Sequence, residues 1–304
     1  MNKSKFWLIS AAVLTLLGIT IFAGVMTMNK WNFRILSTVQ FEEKAYEITE
    51  NFENISVKVG SASLEILPSA DDAVKVICNQ KIKVPYTVKT LDGTLFIEEN
   101  DQRKWYDYIE IASFGKAKIS VYLPKSEYGS LFVSGTTGDT EIAEGFTFKA
   151  ANIALTTGDI SLKSLTAESL DLSLTTGDVT ADNVTVANDL NLKVSTGKSE
   201  LCNIRCNNFI SRGTTGKVTL KNLVALSKLD IKHTTCDVNL DSCDAAEIYI
   251  KVTTGDITAS LLSGKTFIPK TTTGKITLPE KPEHLTGGRC ELKATTGSIN
   301  ITVK

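Results

Sequence analysis

One charged or small side chain follows each copy of a recurring Thr-Thr-Gly-like triplet, and the spacing of these side chains could support chemistry. In chain order they are Asp139, Asp159, Asp178, Lys198, Lys217, Asp237, Asp256, Lys275 and Ser298. Equivalent residues on adjacent β-strands lie about 5 Å apart. Carboxylates stacked at that separation could bind calcium, which takes several oxygen ligands, or act as the carboxylate pair of a retaining glycosidase. The calcium candidates are Asp139, Asp159 and Asp178.

The same ladder also has a structural explanation. An aspartate at a tight turn can accept hydrogen bonds from nearby backbone N–H groups and so cap its own turn. Three lysines interrupt the acidic row, and the Gly-Gly-x-Gly-x-Asp signature of calcium-loaded solenoids is absent from the sequence. We therefore expect the capping role, with no catalytic residue, metal or other cofactor.

The sequence offers few residues that could act as the base in nucleophilic catalysis, because His233 and His284 are its only histidines. His233 lies three residues before Cys236, but no partner that would orient a Cys-His pair is visible. A buried, hydrogen-bonded His233 is the simpler expectation. The glycines recur singly between strands rather than in a phosphate-binding loop, and the net charge of −1 gives no field that would attract nucleic acid.

The triplets recur with a period too regular for chance, since their third position advances by 19 or 20 residues at every step except a last step of 23. Glycine can take φ > 0 at a sharp corner without strain, so these glycines are predicted structural turns. They are Gly138, Gly158, Gly177, Gly197, Gly216, Gly255, Gly274 and Gly297. Cys236 occupies the remaining corner, which must therefore be reshaped or strained.

The two threonines of each triplet are adjacent, so in a strand they should point to opposite sides and leave one outward Thr per coil. A β-branched Thr suits a strand and can contact the Thr of the next coil. One outward row is thin support for an ice-binding face, which we do not favour.

Apolar residues alternate on both sides of each corner, which indicates strands. Aligned on the glycine, inward positions lie seven, five and three residues before it and two, four, seven and nine after it. One period fills these positions with Leu170, Leu172, Leu174, Val179, Ala181, Val184 and Val186, and another with Ile248, Ile250, Val252, Ile257, Ala259 and Leu262. The sequence thus predicts an all-β, single-stranded β-solenoid with coils of 19–20 residues, stacked to bury one apolar lining.

The same alignment places Cys206, Cys243 and Cys290 inward, and Cys202 and Cys236 outside the core. We expect no disulfide framework, and we expect thiol reagents to reach the latter two.

Four segments follow from these patterns. They are a membrane anchor at 1–30, a stalk at 31–50, irregular capping coils at 51–134 and the regular repeats at 135–304. The stalk has helical tendency at 41–45. Within the capping coils, the aromatic loop 101–108 is expected either to pack on the core as a cap or to contact a ligand.

The anchor is the uncharged stretch 6–28, which is preceded by Lys3 and Lys5 and is long enough to span a membrane once. A cleaved signal peptide ending near residues 23–24 is the alternative, although Ile21 and Phe22 fit a cleavage site poorly. Either way, the bulk of the chain is expected outside the cytoplasm.

The run 119–124, followed by 131–134 and repeated Leu-x-Leu-x-Thr-Thr-Gly-Asp-Ile-x-Leu, resembles a bacterial family of adhesin-like domains of unknown function. This family includes LiaG-like envelope proteins, and the resemblance covers about residues 50 to 304. It implies a β-solenoid at the cell envelope with no established catalytic residues. Cys236 and the lysines at 198, 217 and 275 depart from the family pattern and argue against a working Asp ladder.

These features predict a non-enzymatic, membrane-anchored surface protein whose β faces bind an envelope protein or a cell-surface glycan, in adhesion or envelope sensing. A polysaccharide-acting β-helix enzyme and a passive spacer are the alternatives. Self-association through an open solenoid end around Ile299 to Val303 is a further option, and no nucleic-acid partner is expected.

Overall fold

A computed structural model describes residues 3–33, 37, 39–108, 115–280 and 288–304. One α-helix, α1 (Lys3–Met28), precedes a chain that is almost entirely β. The helix is exposed, and Ser4–Met28 is long and apolar enough to cross a membrane by length and composition. A transmembrane anchor and a signal peptide both meet that criterion.

Within the described residues, nineteen strands pair into one continuous sheet, and a short 3-10 helix (Trp105–Tyr108) interrupts them. The strands are β1 (Phe41–Ile48), β2 (Asn54–Val59), β3 (Ala62–Pro68), β4 (Val74–Lys81), β5 (Tyr86–Leu91), β6 (Thr94–Glu99), β7 (Ala117–Leu123), β8 (Glu127–Thr137), β9 (Thr140–Ile142), β10 (Thr147–Thr157), β11 (Ile160–Lys163), β12 (Thr166–Thr176), β13 (Val179–Val186), β14 (Asp189–Thr254), β15 (Ile257–Leu261), β16 (Thr266–Thr273), β17 (Ile276–Thr277), β18 (Arg289–Thr296) and β19 (Ile299–Val303).

The repeated segments pair in parallel, and the alternating residues meet in register. We call the strand segment before a corner together with the segment after it a rung, and β14 runs without a break through three corners. Leu172 lies between Ile153 and Leu192 of the neighbouring rungs, and all three side chains are buried. Partners in these ladders are 19 or 20 residues apart along the chain. Each rung therefore contributes a few apolar side chains to a single core that runs through the whole stack.

A second corner, six residues after the first, also has a distinctive backbone. Ser164, Asn183, Asn203, Asn222 and Ser242 occupy it with φ between 46° and 57°. Asn tolerates this left-handed conformation better than most residues. Its side chain also links rungs, since Asn222 Nδ2 donates to Asn203 Oδ1 at 3.0 Å. The sequence alignment did not identify this ladder.

The inward position predicted for Leu262 is wrong. Leu262 is 47% exposed, whereas Leu261 is fully buried. The register shifts after Asp241, so that Cys243 pairs with Leu261. The rung of Gly255 has no residue equivalent to Ser242, which forms the second corner one rung earlier. Leu262 therefore turns outward.

The order of rungs in space departs from chain order at both ends of the stack. At the first end, β2 and β3 lie between β6 and β7 on one side and β8 and β9 on the other. At the other end, β18 and β19 lie between β14 and β15 on one side and β16 and β17 on the other. The first and last rungs of the chain are thus hydrogen-bonded on both edges.

This order corrects the expected open end at Ile299–Val303, because β19 is paired with β15 along its length and with β17 at Ile299 and Asn300. The outermost rung is instead β16 and β17. There the inward positions Phe267, Ile276 and Leu278 are only partly buried or exposed.

The stalk was expected to have helical tendency at 41–45, and this is wrong. Phe41–Ile48 forms β1, which pairs antiparallel with β4, and β4 in turn pairs antiparallel with β7. Pairing with β4 and the contacts of Phe41, Tyr46 and Ile48 with the core outweigh the local helical propensity. The antiparallel pairs β1–β4 and β5–β6 cover the first end of the stack.

The aromatic loop does not pack on the core. Trp105 is 80% exposed, and Tyr106 and Tyr108 are also exposed. Its contacts are local, with the Arg103 guanidinium 4.4 Å from the Tyr108 ring centre and Lys83 paired with Asp107. The ligand-contact interpretation stays a prediction.

Candidate functional site

The Thr-Thr-Gly corners are built from glycines that no other residue can replace without movement. Gly158, Gly177 and Gly197 have φ of 133°, 138° and 146°. A Cβ added to Gly177 would lie 1.9 Å from the carbonyl oxygen of Gly158, one rung below. Corner glycines therefore stack backbone on backbone, which explains why the signature is so regular.

Both threonines of a triplet are exposed, as at Thr175 and Thr176, so the expectation of one outward Thr per coil is wrong. The chain turns at the corner, and strict alternation of sides stops there.

The aspartates after the corners act between rungs rather than within their own turn. Asp139 Oδ1 accepts the backbone N–H of Asp159 at 2.9 Å, and Asp159 Oδ1 accepts that of Asp178 at 2.8 Å. Asp178 Oδ1 then accepts the backbone N–H of Lys198 at 2.7 Å, where the acidic row ends. Asp237 and Asp256 repeat the pattern. Each carboxylate satisfies a backbone donor that the corner leaves without a strand partner.

This arrangement gives Asp139, Asp159 and Asp178 a structural role. Within the described ranges there is no group of three or more His, Cys, Asp or Glu side chains that could hold a metal ion. One oxygen of each calcium candidate is already engaged by a backbone donor. The ladder as built is a set of inter-rung caps.

The Cys236 corner is reshaped rather than strained. Cys236 is absent from the residues with positive φ, and its side chain is 2% exposed, so the expectation that it lies outside the core is wrong. Its thiol donates to the carbonyl oxygen of Asp237 at 3.3 Å. With a Cβ in place of hydrogen, the backbone takes an extended form and the small thiol turns inward, where it behaves as a small hydrophobe.

His233 is buried inside the stack, as expected. Its Nε2 lies 2.9 Å from the Ser211 hydroxyl, which occupies an inward position one rung below. Gly213 leaves room for the ring, because a Cβ there would lie 2.4 Å from His233 Cε1. Burial, with a smaller contribution from the positive charge of Arg212, lowers the pKa of His233 to about 4. The neutral imidazole pairs with Ser211, while the Cys236 thiol bonds a backbone carbonyl, so the two do not form a catalytic pair. His284 lies outside the described residues.

All six cysteines are free thiols, and they differ in how far they are buried. Burial raises the pKa of Cys236 to about 11 and that of Cys206 to about 12. Cys202 alone is partly exposed.

We expect a maleimide reagent at neutral pH to modify Cys202 within minutes and the other five thiols only after unfolding, because a thiolate must form and be reached by the reagent. Mass spectrometry of the native protein checks this, with Cys202→Ser as the control that should stay unmodified. Early labelling of Cys236 would contradict the buried corner.

A row of basic side chains is a surface feature that the sequence analysis missed. Four residues before each corner, the six consecutive rungs at the C-terminal end of the stack carry Lys or Arg. In spatial order they are Lys193, Arg212, Lys232, Lys251, Lys293 and Lys270. We call them the basic ladder. The alignment on the corner glycine contained this signal, but only the inward positions were compared.

Solved structures similar to this chain include three bacterial proteins. A proposed lipid-binding protein from Parabacteroides distasonis is 14% identical, with a TM-score of 0.46, and the match covers 86% of this chain and 97% of that chain. A proposed adhesin from Bacteroides fragilis is 17% identical, with a TM-score of 0.43 and coverage of 86% and 97%. A proposed cell adhesion protein from Clostridium sporogenes is 13% identical, with a TM-score of 0.30 and coverage of 88% and 100%.

No curated protein matches the chain. The family model of the Toastrack DUF4097 domain matches residues 52–207 and 185–304, which together span the whole β region from β2 onward. The match does not single out the LiaG-like members. With this match to most of its length, the chain belongs to the Toastrack DUF4097 family.

Proposed function

We propose that this protein is a non-enzymatic, membrane-anchored binding platform whose rungs are the 19–20-residue coils of a β-solenoid outside the cytoplasm. The platform holds an envelope component, either another protein or a glycan, on its exposed β faces. The proposed use of this platform is adhesion or envelope sensing, as in a LiaG-like envelope protein.

The observation that carries the proposal is the continuous stack behind a single apolar helix. One core runs through all rungs, so the outer faces are long, rigid and regular. The corner aspartates and His233 were candidates for metal binding or catalysis, but they are engaged in structural hydrogen bonds. What the fold leaves for function is its surface.

The aromatic loop supports membrane attachment at the first end of the stack. The backbone N–H of Ile82 donates to the carbonyl oxygen of Gln40 at 3.1 Å, where the chain from the helix enters β1. Lys83 next to it holds the loop through its carbonyl oxygen and its side chain. Trp105 and Tyr106 are thus exposed close to the point of entry, only a short linker away from Met28. Trp and Tyr favour the membrane-water interface, so this end is expected to face the bilayer.

The anchor is tested by intact mass and by alkaline carbonate extraction of membranes from expressing cells. The full mass in the membrane pellet is expected. A soluble chain that lacks residues up to about 24 would instead identify a cleaved signal peptide.

The platform is tested by photo-crosslinking in intact cells, with a photoreactive residue at outward positions such as Thr219 and Thr258. Adducts of defined mass are expected from at least one face. Absence of adducts from every outward position would favour a passive spacer.

The polysaccharide-acting enzyme is tested separately with cell-wall glycan and the full chain. Turnover that disappears in Asp159→Asn or Asp178→Asn would overturn the non-enzymatic assignment.

A further inference from the structure

The basic ladder is a straight row along the stacking axis. Lys251 is directly opposite Lys293 in the parallel register, and Lys293 is opposite Lys270. Lys193 is opposite Ser173, where the row begins. The equivalent positions of the two preceding rungs carry Ala154 and Ser134, which are small and neutral. In the next rung Lys58 lies opposite Ser134 but pairs with Glu98 at 3.6 Å, so the continuous row of positive charge lies on the half of this face farther from the first end of the stack.

Such a row costs stability when nothing is bound. Like charges directly opposite each other on neighbouring strands repel, and the rise per rung is only about 4.8 Å. Another outward row of this molecule avoids such repulsion by carrying both signs of charge. Five residues after the corner it contains Lys163, Asp182, Lys221 and Asp241. The row of six cations therefore indicates a function for the positive charge itself.

Acidic side chains of the protein neutralise only part of the positive charge of the basic ladder. Asp230 is 3% exposed and accepts Arg212 and Lys228, each at 2.9 Å, through Oδ2, with Lys232 at 3.8 Å. Burial raises the pKa of Asp230, but the hydrogen bonds from Arg212 and Lys228 outweigh it, so the net pKa is lowered. Glu291 pairs with Lys293 and Arg289.

No acid of the described ranges forms an ion pair with Lys193, Lys251 or Lys270. In addition, Asp230 Oδ1 is buried without a hydrogen-bond partner among the residues that the structure describes. Uncompensated cations and a spare acceptor together indicate a ligand that carries both anionic groups and hydroxyl donors.

The row beside the ladder alternates polar side chains, among them Asp230 and Glu291, with apolar or aromatic ones. Two residues earlier in the same strands lie Ile210, Tyr249 and Ile268, on the same outward face. The Tyr249 ring lies between two ladder cations, 5.1 Å from Lys232 Nζ and 5.6 Å from Lys293 Nζ. Flat aliphatic and aromatic surfaces next to cations suit the faces of sugar rings better than the bases of a nucleic acid, which need several open stacking platforms.

We propose that the basic ladder binds a linear acidic polysaccharide that lies along the stacking axis, with its carboxylates on the ladder cations and its sugar rings over Tyr249. A sugar unit in an extended chain advances by a distance similar to one rung, so successive rungs meet successive sugars. A hydroxyl of the bound sugar donates to Asp230 Oδ1 once the lysine side chains turn toward the ligand. This inference rests on the proposed platform and names the partner of one of its faces.

The test uses the full chain in nanodiscs of neutral lipid, with polygalacturonate as the probe and biolayer interferometry as the readout. The variant is Lys193→Gln/Lys232→Gln/Lys251→Gln. The matched control is Lys163→Gln/Lys198→Gln/Lys221→Gln, which removes the same charge from a corner and from the outward position five residues after two other corners. Circular dichroism and thermal melting verify that both variants fold.

Binding by the unmodified protein should weaken as salt rises, because surface charges are screened. The ladder variant should bind about tenfold more weakly, as expected for three partly exposed charge contacts, with the control nearly unchanged. Tyr249→Ala should also weaken binding, and neutral dextran should not bind.

The proposal is overturned if polygalacturonate does not bind, if both triple variants lose affinity equally, or if polyphosphate or anionic vesicles bind through the ladder in its place. These outcomes leave the platform itself open to the crosslinking test, because partner adducts on other faces do not depend on the ladder.

Discussion

Gly177→Ala is expected to destabilise the protein by about 3 kcal/mol or more, through two effects that act together. The φ of 138° is strained for any residue with a Cβ. The added methyl would also lie 1.9 Å from the Gly158 carbonyl oxygen, so two rungs must separate locally. The loss is measured as a shift in the midpoint of urea denaturation, followed by far-ultraviolet circular dichroism. A cooperative single transition is not assumed, because stacked rungs can unfold in parts.

Gly93→Ala is the matched control. Gly93 has φ of 71° at the turn between β5 and β6, but no atom lies within 4 Å of a Cβ there. Only the backbone strain remains, which costs about 1 to 2 kcal/mol. A clearly larger loss at Gly177 identifies close stacking of corner backbones as the main constraint. Equal losses at the two sites would mean that the neighbouring rung yields easily.

The second large effect is a loss of stability on acidification that depends on His233. Its pKa is about 4 in the folded protein and about 6.5 when unfolded, so folding favours the neutral ring. The stabilisation is complete above about pH 6.5 and is lost as the pH falls toward 4. Across that window the contribution is of the order of 3 kcal/mol. The physical reason is that a charged imidazole would be buried in the core beside Ser211, with Arg212 nearby.

His233→Gln isolates this effect, because an amide can hydrogen-bond the Ser211 hydroxyl and does not titrate. Urea midpoints of both proteins are compared at several values between pH 4 and pH 7. Other acids titrate in both proteins and cancel in the difference, which should shift in favour of the variant as the pH falls. A difference that stays constant with pH would contradict a buried, neutral His233.

Much of the fold could be predicted from local patterns. Alternation of residues such as Leu170, Leu172 and Leu174 reveals a strand and its buried side, since a strand has a period of two. The corner glycines were identifiable because one steric requirement recurs at every rung. The likeness to a known family followed from the same residues, and the family match bears it out.

The candidate site was less accessible, because charge and burial there depend on partners distant in sequence. Cys236 was expected outside the core by analogy with glycine, yet a backbone without positive φ turns its thiol inward. Asp178 was expected to cap its own turn, but its acceptor role depends on the neighbouring rung. The aromatic loop was offered as a cap packed on the core or as a ligand contact, and its aromatic side chains are exposed.

The sequence by itself determined the strands of the repeats, their Thr-Thr-Gly corners and most of the inward residues, because each depends on a few neighbouring positions and repeats along the chain. Only the tertiary structure decided the order of rungs at the two ends, since pairing of Ile248 with Cys290 passes over an entire intervening rung. No local pattern specifies such a choice. The order of rungs is set by the arrangement that pairs the chain ends on both edges and buries the most apolar surface. That same order places Lys293 between Lys251 and Lys270 and so completes the basic ladder.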